Sequence, residues 1–469
     1  MTTTRTTINL PLVGAIVAVA TIGGFMFGYD SGVINGTQDG LEQAFGLSKL
    51  GTGFTVGAIL IGCAAGAFLA GRLADLVGRR SVMMIAALLF IISALIAGAA
   101  PSAVVFICAR LLGGLGVGAA SVLSPVYISE VTPAAIRGRL SSVQQIMIIS
   151  GLTGAFVANY VLAGKAGGST APLWFGLSAW RWMFWMQVVP ATIYFFALLF
   201  IPESPRFLVA RGRYGEAQTV LTRLQGPAEA TRKIAEIQAS LAADHHRPRF
   251  RDLIDRATGR LRPIVWAGIG LAIFQQFVGI NIVFYYGAIL WQSVGFSEAD
   301  SLKINILSGA LSILACLFTV FTVDRIGRKP LLLVGSAGMT VTLGVVAVCF
   351  ANAQLAADGS LHLSDATGRV ALVAANLYVV FFNASWGPVM WVMLGEMFPN
   401  QIRGSGLAVA GAAQWIANFA ISVSFPALAA GVGLAATYGF YALSAFLSFF
   451  FVARLVHETR GRELEDMQG

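Results

Sequence analysis

Two ionisable residues stand where membrane-spanning sequence should hold none. Asp30 lies in Gly28-Tyr29-Asp30, in an apolar run that begins near Leu10, and Arg110 lies within the run 102–129. A charge inside a span is expensive unless it is paired or hydrated. One acid and one base at matching depth invite a pair. That pair can be a fixed salt bridge between helices. It can also be a proton switch, in which Asp30 takes up and releases a proton as its surroundings alternate and Arg110 acts as the partner charge.

A second set is polar but uncharged. Gln145 lies in the run 139–163. Gln275, Gln276, Asn281 and Tyr285 lie in 263–292, Trp386 and Trp391 in 367–395, and Gln414, Trp415 and Asn418 in 405–428. A carboxamide donates and accepts at once, and an aromatic face suits the C–H side of a ring. Together they fit a neutral polyhydroxyl ligand. The other reading is hydrogen bonding between helices, a common use of amides in lipid. Gln275 and Asn281 can share one lining only if the helix breaks between them, which Gly279 allows.

The third set pairs opposite charges at the ends of spans: Arg72, Asp75, Arg79 and Arg80; Glu130 and Arg137; Glu203 and Arg206; Asp324 and Arg328; Glu396 and Arg403. Orientation by positive charge accounts for the bases but not for the acids among them. Such clusters suit a gating network that latches two halves together when that end is shut.

The elements that must position these residues are membrane helices. The chain has 469 residues, 57% hydrophobic and only 11% charged, against about 25% charged in soluble domains, and its mean hydropathy is +0.77. A soluble surface and disorder are both excluded. Twelve spans are expected at 11–35, 52–74, 80–99, 102–129, 139–163, 180–201, 263–292, 301–323, 330–353, 367–395, 405–428 and 432–456. The stretch Leu10–Ala20 resembles the core of a signal peptide, but the apolar run continues to Tyr29, so it is taken as the first span.

The resulting fold class is an all-α polytopic membrane protein with twelve transmembrane helices in two six-helix repeats. The repeat is visible in the residues. Asp75-Leu76-Val77-Gly78-Arg79-Arg80 follows span 2, and Asp324-Arg325-Ile326-Gly327-Arg328-Lys329 follows span 8. Glu130 and Arg137 flank the loop after span 4 with the same spacing as Glu396 and Arg403 after span 10. The expected organisation is an N-terminal bundle at 1–202, a cytoplasmic linker with short helices at 203–262, and a C-terminal bundle at 263–469. Parallel repeats of this kind place a ligand site near the midplane between halves.

Net charge is +9, yet nucleic acid is not the expected partner, because the basic residues alternate between loops. Lys49, Lys165, Arg181, Lys303 and Arg369 fall in one set of loops, Arg110 lies in a span, and the remaining Lys and Arg fall in the other set. That set should be cytoplasmic, with both termini. Cys63, Cys108, Cys316 and Cys349 all lie in apolar runs and read as packing residues. The four histidines form no metal or nucleophile constellation, so no enzyme, no cofactor and no metal is expected.

Several motifs together resemble the sugar porter family of the major facilitator superfamily over nearly the whole chain. They are Gly71-Arg72 with Asp75 and Gly78-Arg79-Arg80, Pro202-Glu203-Ser204-Pro205-Arg206, Gln275-Gln276 with Gly279-Ile280-Asn281, and Asp324 to Lys329. Glu458-Thr459-Arg460-Gly461 is similar to the family's closing motif, with His457 where proline is usual. The resemblance implies that Phe27, Gln145, Gln275, Gln276, Asn281, Trp391, Gln414 and Trp415 line a sugar site. It also implies that Asp30 carries the proton with Arg110 as its partner. One departure is Ser312, where the family often places a sugar-binding asparagine; it is expected to join the sugar site with a hydroxyl that lacks a carboxamide's reach, which would alter sugar preference or affinity.

The expected function is a proton-coupled importer of a monosaccharide, a hexose or pentose such as glucose or xylose. It would work by alternating access as a monomer in the lipid of a bacterial inner membrane. A facilitative uniporter is the alternative within transport, and a membrane sugar sensor the alternative outside it.

Overall fold

The computed structural model describes residues 9–132, 137–243, 253–254, 259–355, 361–399 and 402–460. Side chains of 137–142, 240–243, 355, 361 and 403 lie outside that description, and with them the expected roles of Arg137 and Arg403.

In lipid each segment must satisfy its own backbone, so the apolar runs become helices. In chain order they are α1 (Leu10–Val33, continued by a 3-10 turn at Ile34–Gly36), α2 (Gln38–Phe45), α3 (Lys49–Val77), α4 (Arg79–Ala99), α5 (Ala103–Val131), α6 (Arg137–Ala166), α7 (Ala179–Met186) and α8 (Val188–Leu198). Three helices follow in the linker: α9 (Pro205–Ala210), α10 (Tyr214–Gln225) and α11 (Pro227–Ala243). Then come α12 (Pro263–Phe277), α13 (Ile280–Gln292), α14 (Glu298–Ile326), α15 (Arg328–Ala351), α16 (Asp365–Asn383), α17 (Trp386–Met397), α18 (Arg403–Gly431) and α19 (Leu434–Leu455). In the loop after α15, Gln354–Leu355 pairs antiparallel with Leu361–His362.

Among the described residues, eleven helical segments are long and apolar enough to cross a membrane. The expected span at 180–201 is the twelfth, and it is interrupted at Gln187 into α7 and α8. The cause is Pro190, which has no N–H for the Met186 carbonyl and crowds it with its ring.

Two other spans break where they face the centre. Gly279 sits at φ +81° between α12 and α13, and a Cβ there would come within 2.6 Å of the Tyr441 ring. Ser385 separates α16 from α17 at φ −143°, ψ −88°. Pro388 again removes the donor for a carbonyl four residues back. The first break matches the expectation from Gly279; the second was not anticipated.

Glycine allows the closest packing. A Cβ on Gly62 would lie 2.3 Å from the Leu111 carbonyl, and one on Gly114 2.2 Å from that of Ile59, so α3 and α5 meet backbone to backbone. Gly28 on α1 meets the Ile148 carbonyl of α6 in the same way.

The first six spans and the last six face each other along a seam that is closed at one end. There Asn35 is 1% exposed. Its Nδ2 donates to the Phe284 carbonyl at 2.8 Å, and its Oδ1 accepts from the Ala288 N–H at 3.2 Å and from Asn305 Nδ2 at 2.7 Å. Gln38 donates to the Tyr285 carbonyl beside it.

Candidate functional site

Away from the closed end, the seam widens into a cavity of about 1000 Å³. Phe27, Gln145, Gln275, Gln276, Asn281, Tyr285, Trp391, Gln414 and Trp415 all line it. They come from five spans in both halves, so no single segment could have assembled the set. Residues such as Phe68, Pro125, Val323 and Leu407 continue the lining toward the ends that carry the basic clusters, so the cavity opens on that side.

The amides are chained rather than independent. Asn281 Nδ2 donates to Gln276 Oε1 at 2.6 Å, and Gln276 Nε2 donates to Gln275 Oε1 at 3.1 Å. Gln275 Nε2 in turn donates to the Trp386 and Gly387 carbonyls at 3.2 and 3.4 Å. The chain runs from the break in one span to the break in the other. It orients each amide while leaving a second N–H on Gln276 and Asn281 and the Asn281 carbonyl for a ligand. Aromatic walls flank it, with the Phe27 and Trp415 rings 6.3 Å apart across the seam.

Ser312 requires a correction. It is fully buried and does not line the cavity. Its hydroxyl donates to the Ser308 carbonyl at 2.7 Å and accepts from Asn383 Nδ2 at 3.1 Å. A serine is too short to reach past α16, and Asn383 occupies the wall in its place. Trp386 is also core, its N–H donated to the Leu332 carbonyl. Gln144, Ser31, Ser121, Thr319, Asn383 and Asn418 add to the polar lining. Asn383 was overlooked because its position depends on the break at Ser385.

Asp30 and Arg110 do meet. Nη1 lies 2.6 Å from Oδ1, Nη2 donates to the Asp30 carbonyl at 3.1 Å, and each side chain is 1% exposed. The guanidinium also lies over the Phe184 ring at 5.8 Å. Gly28 and Ser31 line the cavity while Asp30 lies behind them, with Oδ2 buried and unpartnered. A carboxyl oxygen is therefore held next to the cavity wall and sealed from it.

Comparison with known proteins decides what this arrangement belongs to. A family model described as sugar (and other) transporter matches residues 16–469. The chain belongs to the sugar porter family of the major facilitator superfamily. It is 50% identical to a glucose transport protein of Synechocystis sp. over 99% of this chain and 98% of that one. It is 36% identical to the D-xylose-proton symporter of Escherichia coli over 99% and 96%. Among solved structures, the inward open conformation of the xylose transporter XylE from E. coli aligns at a TM-score of 0.81 with 34% identity, covering 97% of this chain and 99% of that one. As a sugar porter the chain is a multi-pass membrane transporter and not an enzyme.

The charged clusters of this sugar porter are built twice, once in each half. Gly78 and Gly327, at φ +103° and +105°, make the tight turns before α4 and α15. Glu203 accepts from the Arg79 and Arg80 N–H groups, and Glu458 from those of Arg328 and Lys329. A remote carboxylate thus caps each helix N-terminus, where its charge also meets the positive end of the helix dipole. Arg79 pairs with Asp75 at 3.0 Å and Glu130 at 3.2 Å; Arg328 pairs with Asp324 at 2.9 Å and Glu396 at 2.7 Å. The Ser204 hydroxyl donates to Glu130, and that of Thr459 to Glu396 at 2.6 Å. Arg80 closes the same region by donating to the Leu198 and Leu199 carbonyls.

Among the described residues these ion pairs lie within a half, none bridging the seam. That fits a cavity open at this end. Arg72 stands apart over the Phe68 ring at 5.2 Å, and Arg206 is exposed on α9. Glu458 and Thr459 join the network although they lie outside the charge clusters expected from the sequence. The match of Glu203-Ser204 after the sixth span with Glu458-Thr459 after the twelfth was the available signal.

Proposed function

We propose that this transporter imports a monosaccharide together with a proton by alternating access. The observation that carries the reading is the buried Asp30–Arg110 pair directly behind a cavity walled by amides and aromatic rings. A neutral polyhydroxyl ligand takes its hydrogen bonds from the oriented amides and its ring contacts from Phe27, Trp391 and Trp415. Protonation of Asp30 removes the charge that Arg110 holds, freeing α1 and α5 to rearrange. The relatives named as glucose and D-xylose carriers support a hexose or pentose as cargo.

In this reading the basic clusters are cytoplasmic, the cavity faces the cytoplasm, and the membrane is a bacterial inner membrane. The two six-helix bundles rock against each other across the seam, and the pairs around Arg79 and Arg328 form the gating machinery. The energetics suffice. About 100 mV of membrane potential is worth roughly 2.3 kcal/mol per charge, or roughly fifty-fold accumulation of a neutral sugar per proton.

The test is uptake of labelled glucose and xylose into proteoliposomes with and without an imposed proton gradient. Accumulation above the external concentration only with the gradient is the expected result. Equal uptake in both conditions would make the protein a uniporter.

A further inference from the structure

The closed end of the seam holds carboxylates from both halves. Asp39 on α2 accepts from Gln292 Nε2 of α13 at 3.2 Å. Glu298, at the start of α14, reaches back and accepts from the Ser169 N–H at 2.8 Å. Each bond crosses the seam, so both acids are brought together only when this end is shut. Glu42, one turn beyond Asp39, is answered by Lys49 at 3.1 Å and by the Thr52 hydroxyl at 2.9 Å. Across the seam Asp39 is hydrogen-bonded by a neutral amide, that of Gln292. Burial pushes its carboxyl up from the ordinary value, the Gln292 hydrogen bond opposes this, Glu298 and Glu42 push it up further, and Lys49 pulls it down.

We propose that Asp39 is a second proton site, separate from the Asp30–Arg110 pair, and that proton uptake there favours closure of this end of the seam. When the end opens, Asp39 regains water and moves away from Glu298, so it behaves as an ordinary carboxylate. Closing strips the water and restores the repulsion, which resists closure while Asp39 is charged. The neutral carboxyl closes without that cost and keeps its bond to Gln292. The closed form therefore binds a proton that the open form releases, and acid shifts the balance toward closed. That this end faces the outside rests on the importer reading; an acidic exterior would then promote the closing stroke.

The experiment measures distance without any sugar. Spin labels are placed at Ala44→Cys and Ala299→Cys, exposed positions flanking the closed end, in full-length protein carrying Cys108→Ser. Asp30→Asn is included so that the first pair cannot contribute. Lowering the pH from about 8 to about 5 should raise the closed-to-open ratio, by at most about tenfold per pH unit for one proton. Adding Asp39→Asn should leave the seam closed throughout and abolish the response, and Asp39→Glu should restore it. Gln292→Leu should keep the response and move its midpoint to higher pH, because it removes the bond that favours the charged form. An unchanged pH response in Asp39→Asn, or a response lost in Gln292→Leu, would overturn the proposal. A titration through Asp39 in protein that carries neither sugar would sink the importer reading and leave this one standing.

Discussion

At the scale of single residues, the site works by holding polar groups in fixed orientation. Asn281 illustrates this. It lines the cavity and also fixes Gln276, which fixes Gln275. Replacing it removes a ligand contact and frees the chain behind it, so the loss should exceed that of one hydrogen bond, worth about 1 kcal/mol. Asn281→Ala should raise the Kd for the transported sugar by about tenfold or more, read by isothermal calorimetry, with the fold intact by thermal melt. A change below about threefold would mean that the amides tie helices together and do not meet the ligand.

The same scale shows what could be read in advance. The nine expected residues that line the cavity are amides and aromatics, whose presence inside apolar runs is conspicuous whatever the backbone does. Ser312 was expected in the site, and its short reach was legible, but the neighbour that covers it was not. Its hydroxyl serves Asn383, and Asn383 faces the cavity through a bend whose only advance sign was Pro388.

At the scale of elements, the breaks and the caps do the positioning. Gly279 holds a left-handed conformation with Tyr441 against it. Gly279→Ala should cost about 1–3 kcal/mol, seen as a lower Tm and as weakened sugar binding. An unchanged melt would mean that α12 and α13 can join into one helix without penalty.

The cap on α15 predicts a pH dependence. Burial raises the Glu458 carboxyl, but the Arg460, Arg328, Lys329 and Thr459 N–H groups together outweigh it and hold the carboxyl below its ordinary value. A carboxyl depressed in the folded state contributes stability that is fully present above its unfolded pKa. That stability fades as pH falls through the folded value. Glu458→Gln should therefore melt below the unmodified protein at neutral pH, with the gap narrowing on acidification below the ordinary glutamate range. A gap that stays constant with pH would show that the side chain acts through shape alone. The repeated turns at Gly78 and Gly327 were evident from the duplicated motif. The roles of Glu203 and Glu458 were not, because each caps a helix more than a hundred residues earlier in the chain.

At the scale of the whole molecule, one arrangement joins a seam shut at Asn35, a cavity open toward the basic clusters, and a charge network around Arg79 in one half matched by one around Arg328 in the other. The duplication, the span count and the alternation of charged loops were all legible, because they follow from composition and period. Which end is open was not, since both states use the same sequence and differ only in which cross-seam bonds are made. In the proposed alternating-access cycle the open end shuts before the other opens, and that exchange is tied to the charge on Asp30.

The most direct test of that tie compares Asp30→Asn with the unmodified protein in proteoliposomes. The neutral side chain imitates the protonated state and cannot release a proton. The account predicts that gradient-driven accumulation of sugar is lost while counterflow exchange of sugar survives. Undiminished accumulation driven by the gradient in Asp30→Asn would contradict it, and would reduce the Asp30–Arg110 pair to a structural bond between α1 and α5.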